Sequence, residues 1–156
     1  MKENLTQESS KKLVRVAVAL ILRDAKHNAN KLSTDGTDRE ILITKRPSST
    51  VYPGWWEFPG GKVEQDEAPE AAAAREIYEE LGVRILGLIP LNEVHHVYEH
   101  AAVHLHAFTC RLAENSPEPQ NLEVEAHQWI PVGDLPYEPF LPGNTEIVEA
   151  LQSLTG

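Results

Sequence analysis

Three glutamates, Glu76, Glu79 and Glu80, recur at the spacing of one helical face between Pro69 and Gly82. At about 100° per residue they project from one side of a helix. Ala71, Ala74, Ile77, Tyr78 and Leu81 take the opposite side and form the expected buried stripe. Like charges at these spacings weaken an isolated helix, and Arg75 is the nearby cation. A merely solvated face would carry more mixed charge. Three hard oxygen donors beside an accessible backbone carbonyl are what Mg²⁺ or Mn²⁺ requires. The carbonyl is supplied from Gly60-Gly61, where missing side chains allow close approach to a ligand.

The surrounding residues predict the helix that must hold this face. Pro69 suits its first turn, where an absent N–H loses nothing. Four alanines follow, then mostly strong helix formers, and Gly82 supplies a left-handed stop. Ala68, just ahead of Pro69, lacks the side-chain oxygen that caps a helix start.

The whole stretch resembles the Nudix box. Gly61, five residues, Glu67, seven residues, and then Arg75-Glu76-Ile77-x-Glu79-Glu80-x-Gly82-Val83 fill each of its defining positions. So many fixed residues make a specific signal. Preceded by Glu57-Phe58-Pro59-Gly60-Gly61-Lys62, the box is most similar to the MutT-like branch, which hydrolyses nucleoside triphosphates. The resemblance spans roughly residues 12 to 152 and implies an α/β fold, an α/β/α sandwich around a mixed β-sheet. It implies Mg²⁺ (Mn²⁺ as an alternative) held by Glu76, Glu79, Glu80 and the Gly60 carbonyl. Release of pyrophosphate would leave a nucleoside monophosphate. Arg75 would orient the carboxylates, and Glu67 would brace loop and helix. Glu123, about six residues before Trp129, would assist the metal, with Glu125 a close rival and a solvated loop acid the plain alternative. Glu76 and Glu123 are both candidates for the proton acceptor.

For the substrate, the resemblance points to Arg46 beside the nucleotide, Phe58 as a pocket wall and Lys62 against phosphate. Lys45 reads as a solvated strand end. Asn144 would read a purine edge, or else merely cap the last helix. Oxidised purines such as 8-oxo-dGTP are favoured on Asn144. Pyrimidine triphosphates are the alternative, because Ala101 stands where this family can carry an arginine and Val103 to Phe108 resembles pyrimidine-preferring relatives. Another nucleoside diphosphate-linked compound is a further alternative. A non-catalytic binding module is disfavoured by the complete box, and so is a structural domain with a chance match.

Composition bounds these readings. The chain has 156 residues, 41% hydrophobic and 24% charged, as expected of one globular domain. A formal charge of −10 argues against a nucleic-acid polymer as partner. It also demands cations to bring a polyphosphate close. A single cysteine, Cys110, excludes an internal disulfide and fits a reducing, cytoplasmic setting; its apolar surroundings suggest packing. The opening residues lack the apolar core of a signal peptide, and no apolar run is long enough to span a membrane.

In chain order, residues 1–11 are expected to be a disordered tail and 12–156 a single domain. Leu13–Leu22 and Ile41–Thr44 read as antiparallel neighbouring strands, with a long loop between 24 and 39. Residues 84–97 and 102–112 each predict a strand, and Glu123 leads into another. Trp55 and Trp56 read as core or loop anchors. His95, His96, His100, His104 and His106 cluster in the later strands. His104 and His106 share a strand face and raise the question of zinc. No further zinc-ligand spacing accompanies them, so ordinary hydrogen-bonded histidines are expected. Pro142 to Leu151 predicts a closing amphipathic helix.

Overall fold

In a computed structural model, residues 12–25 and 39–155 are described. The expected tail at 1–11 lies outside them, as does most of the loop expected between 24 and 39. The strands are β1 (Leu13–Asp24), β2 (Arg39–Lys45), β3 (Trp56–Glu57), β4 (Gly60–Lys62), β5 (Ile85–Val97), β6 (Ala102–Leu112) and β7 (Ala126–Pro131). Among the described residues the α-helices are α1 (Pro69–Leu81), between β4 and β5, and α2 (Pro142–Thr155) after β7. Strands β1 and β2 run on to Asp24 and begin at Arg39, so the connecting loop is shorter at both ends than expected.

The sheet is mixed. Its main path is β3-β2-β1-β6-β5, with β4 also on β1 and β7 also on β2. The β1–β6 pair is parallel, and the other pairings are antiparallel.

Strand β1 is apolar at both parities because both of its faces are covered. Ala17, Ala19 and Ile21 pack toward α1, with Ala72, Ala73, Ile77 and Leu81. Val18 and Leu20 face the other way, into a core with Ile147, Val148 and Leu151 of α2. Strand β6 follows the same alternation. Leu105 and Ala107 join the α2 side, while Phe108 and Cys110 join the α1 side. One helix on each side of a mixed sheet gives the expected α/β/α sandwich. Cys110 is buried and its thiol is pushed up to about 12 by that burial.

Helix α1 ends as its sequence dictates. Gly82 adopts φ 70° and its N–H bonds the Tyr78 carbonyl at 2.9 Å. Its start carries no side-chain cap at Ala68. The buried stripe, however, is Ala72, Ala73, Ile77 and Leu81, rotated from the expected one. Ala71 and Ala74 are exposed, and Tyr78 is exposed beneath the Arg84 guanidinium. The rotation carries Glu76 and Glu80 to the margin of the core, where both are half-buried, rather than straight out into water. Among the described residues no helix is long and apolar enough to cross a membrane.

Candidate active site

The site is assembled where β4 lies against β1 and the face of α1 passes over it. A Cβ on Gly60 would collide with the Ala17 carbonyl oxygen and come within 2.8 Å of Val18 Cα. Both are backbone atoms of β1 and cannot move aside. A Cβ on Gly61 would overlap the Glu76 carboxyl group. The two glycines therefore let β4 press onto β1 and leave space for Glu76 above it.

Arg75 ties the acidic side chains together from behind. Its Nε donates to Glu67 Oε2 at 2.9 Å and its Nη2 to Glu67 Oε1 at 3.0 Å, a two-pronged carboxylate fork. Nη2 also reaches the Lys62 carbonyl at 3.0 Å, and Nη1 donates to Glu76 Oε1 at 2.9 Å. Glu79 is touched more loosely, at 3.4 Å, and stays at the exposed rim. Glu67 accepts a further bond from the Glu64 N–H, so it is fully engaged in holding the loop to the helix. Hydrogen bonding by Arg75 lowers the Glu67 carboxyl to about 2.

The segment after β6 brings the next acid. N–H groups of Gln120, Leu122 and Glu123 bond the free carbonyls of Glu80 and Leu81 at the end of α1, at 2.9–3.2 Å. This docking sets Glu123 beside the helix before β7 begins at Ala126.

A cavity of about 510 Å³ opens here, within the usual size of a ligand pocket. Arg46, Gly60, Lys62, Glu80, Glu123 and Asn144 all line it. Lys45, read from the sequence as a solvated strand end, lines it too, whereas Glu125 does not.

Two expectations are corrected. Phe58 is not a pocket wall: it is fully buried in the core, edge-on to Phe140 at 5.2 Å between ring centroids. Asn144 is not a helix cap: it lies two residues after Pro142, the first residue of α2. Its Oδ1 accepts the buried Phe58 N–H at 2.9 Å, so it pins the loop ahead of Gly60. Burial of Phe58 follows from that pin, which holds its backbone against α2.

Sequence reasoning passed over Glu57, Tyr52 and Tyr98. Glu57 lines the cavity and receives Arg46 Nη1 at 2.6 Å, while Arg46 Nε is held by the Val51 carbonyl. Arg46 is thus largely neutralised within the protein. The only sign of Glu57 was its place ahead of Phe58-Pro59-Gly60-Gly61. Tyr52 and Tyr98 stand at the cavity with ring centroids 5.7 Å apart.

The electrostatics disclose what the site lacks. Burial raises the Glu80 carboxyl to about 9, and repulsion from Glu57, Glu76 and Glu123 adds to it against a backbone hydrogen bond from Gly60. Glu76 is raised by burial, opposed by Arg75 and reinforced by Glu79 and Glu123. Glu57 is raised by burial despite Arg46. Glu80 and Glu76, whose ionisation is resisted by burial and by neighbouring carboxylates, belong to a site short of positive charge. Their donors are all hard oxygen, which fits a divalent cation of the Mg²⁺ class.

A family model described as the NUDIX domain matches residues 14–151. The chain belongs to the Nudix family. This Nudix hydrolase is 31% identical over 144 residues to the CTP pyrophosphohydrolase of Escherichia coli (strain K12), covering 92% of this chain and 94% of that protein. It is 29% identical over 117 residues to the 8-oxo-dGTP diphosphatase of the same organism, covering 75% of this chain and 89% of that one. Among solved structures it resembles the MutT NUDIX hydrolase from Burkholderia pseudomallei, with a TM-score of 0.73 and 26% identity over 90% of this chain and 99% of that one.

Proposed function

We propose that this Nudix hydrolase cleaves a nucleoside triphosphate to the monophosphate and pyrophosphate, with an oxidised purine such as 8-oxo-dGTP preferred. The observation that carries the reading is the crowding of carboxylates at a nucleotide-sized cavity: Glu57, Glu80 and Glu123 line it, and Glu80 is raised by burial and by repulsion from Glu57, Glu76 and Glu123. A triphosphate carries about three to four negative charges and would be repelled unless cations intervene.

Glu76, Glu79, Glu80 and the Gly60 carbonyl would hold the ion, with Glu123 assisting. When bound, a Mg²⁺ or Mn²⁺ ion offsets phosphoryl charge and favours ionisation of water. Arg75 keeps the Glu76 carboxylate in one orientation through its 2.9 Å bond. Lys62 offsets charge along the phosphate chain. The Glu123 carboxylate lies at the cavity with no hydrogen bond to another of the described residues, so it is the group we assign to accept the proton of the attacking water. Asn144 offers its amide NH₂ and the second lone pair of Oδ1 to the base, since the first is held by Phe58.

A pyrimidine triphosphate is the second reading, supported by Ala101 lining the cavity and by the breadth of the match to the CTP pyrophosphohydrolase. Pyrophosphate release from 8-oxo-dGTP, dGTP, CTP and dCTP, with and without Mg²⁺, separates the two. The highest kcat/KM on 8-oxo-dGTP supports the first. The highest on CTP or dCTP replaces it with the second. No metal-dependent release from any triphosphate overturns both and turns attention to other nucleoside diphosphate-linked compounds.

A further inference from the structure

Across the sheet from the cavity lies a second set of ligand-type side chains. Cavity-lining Val103 and Leu105 alternate along β6 with His104 and His106, whose side chains therefore take the α1 side. Strand β5 runs antiparallel to β6 and sets Glu93 opposite His106 and His95 opposite His104. Directly paired residues of adjacent strands have Cβ atoms about 4.5–5.5 Å apart, and diagonal neighbours remain in reach. One carboxylate oxygen, Glu93 Oε1, consequently lies 3.0 Å from His104 Nε2 and 3.0 Å from His106 Nδ1. The His104 and His106 rings are 4.2 Å apart, and His95 stacks on His104 at 4.0 Å. These contacts hold both imidazoles in place, with His106 the more buried of the two.

We propose that Glu93, His104 and His106 form a binding site for a zinc-class divalent ion, separate from the nucleotide site and stabilising the β5–β6 pair. Two imidazole nitrogens and one carboxylate oxygen make a known zinc donor set, with a fourth position left to water. With metal–ligand bonds of about 2.0–2.1 Å, a tetrahedron places its ligand atoms about 3.3–3.4 Å apart. The two separations from Glu93 Oε1, 3.0 Å each, need to widen by only a few tenths of an ångström to admit the ion, and all three donor atoms lie within 4.8 Å of one another. Nitrogen donors select a borderline ion such as Zn²⁺, whereas the all-oxygen carboxylate site suits Mg²⁺. The inference does not rest on the proposed substrate. Arg15, paired with His104 across β1, contributes a positive charge to the same face, and Glu70 in the first turn of α1 a negative one.

The test uses the full chain, stripped with a chelator and returned to millimolar Mg²⁺ so that the carboxylate site is competed. Zn²⁺ is then added, and bound metal, melting temperature and pyrophosphate release are measured. Co²⁺ is added in parallel for its visible absorption. One Zn²⁺ per chain should bind, and at about 100 times Kd the melting temperature should rise by about 5 °C or more. Glu93→Gln and His104→Gln should each weaken zinc binding by at least about 10-fold and diminish the Co²⁺ bands, with Mg²⁺-supported turnover unchanged. His106→Gln should do the same, and the other two variants decide the matter if it fails to fold. Absence of stoichiometric Zn²⁺ overturns the proposal. So does zinc uptake that survives Glu93→Gln and His104→Gln but is lost in Glu80→Gln.

Discussion

Replacing Glu80 by Gln tests the electrostatic account of the site directly. The change keeps side-chain size and an oxygen to accept the Gly60 N–H, and it removes one charge. Glu80 ionises near 9 in the folded metal-free protein against 4.5 ordinarily. A raised carboxyl binds its proton more tightly when folded, so its favourable contribution is complete below about 4.5 and is lost as pH climbs toward 9. At about pH 8 the separation is roughly 3.5 units, and each unit is about 1.4 kcal/mol, giving an upper bound of about 5 kcal/mol. Solvent entering the open cleft reduces this, and about 1–3 kcal/mol is expected. For a chain of this length that corresponds to about 2–12 °C. Melting curves from pH 5 to 9 in chelator should show the wild type losing stability with pH and the variant losing less, Glu76 still contributing. In Mg²⁺ the order should reverse at alkaline pH, because the wild type gains an ion that the variant holds weakly. A wild-type profile without such a loss in chelator, or a variant with the same slope, would refute the reasoning.

Further expectations follow from neighbouring residues. Glu79→Gln should fold normally and lower kcat/KM by at least about 10–100-fold; activity within about threefold of wild type would remove Glu79 from the metal set. Ala68→Thr should raise stability by about 0.5–2 kcal/mol without changing turnover, since the start of α1 has no side-chain cap. Asn144→Ala leaves the buried Phe58 N–H without an acceptor and should cost about 1–3 kcal/mol in denaturant unfolding. If Asn144 also reads the base, kcat/KM should fall more for 8-oxo-dGTP than for dCTP; an equal fall leaves it with the structural role alone. Glu67→Gln should flatten the acid limb of stability. The lowered Glu67 carboxyl contributes above about 4.5 and loses that contribution as pH falls toward 2.

The chain's own chemistry determined what could be read locally. Helix α1 and its Gly82 stop follow from alanine-rich propensity, proline at the first turn and left-handed glycine, each needing only a few neighbouring residues. The box spacing placed acids a turn apart, and the β-branched, apolar run of β1 announced a strand. The tertiary structure decided matters that depend on distant partners. It turned α1 so that Ala72 and Ala73, rather than Ala71 and Ala74, meet β1, because the sheet surface chooses among helical faces of similar apolarity. It buried Phe58 by the bond to Asn144, 86 positions away. It set Glu57 against Arg46 through the pairing of β3 with β2. It also brought Glu93 to His104 and His106 through the β5–β6 register, which shifts twice along the pair. Cross-strand register is fixed by the summed packing of both faces, so no spacing within a single segment could reveal that trio.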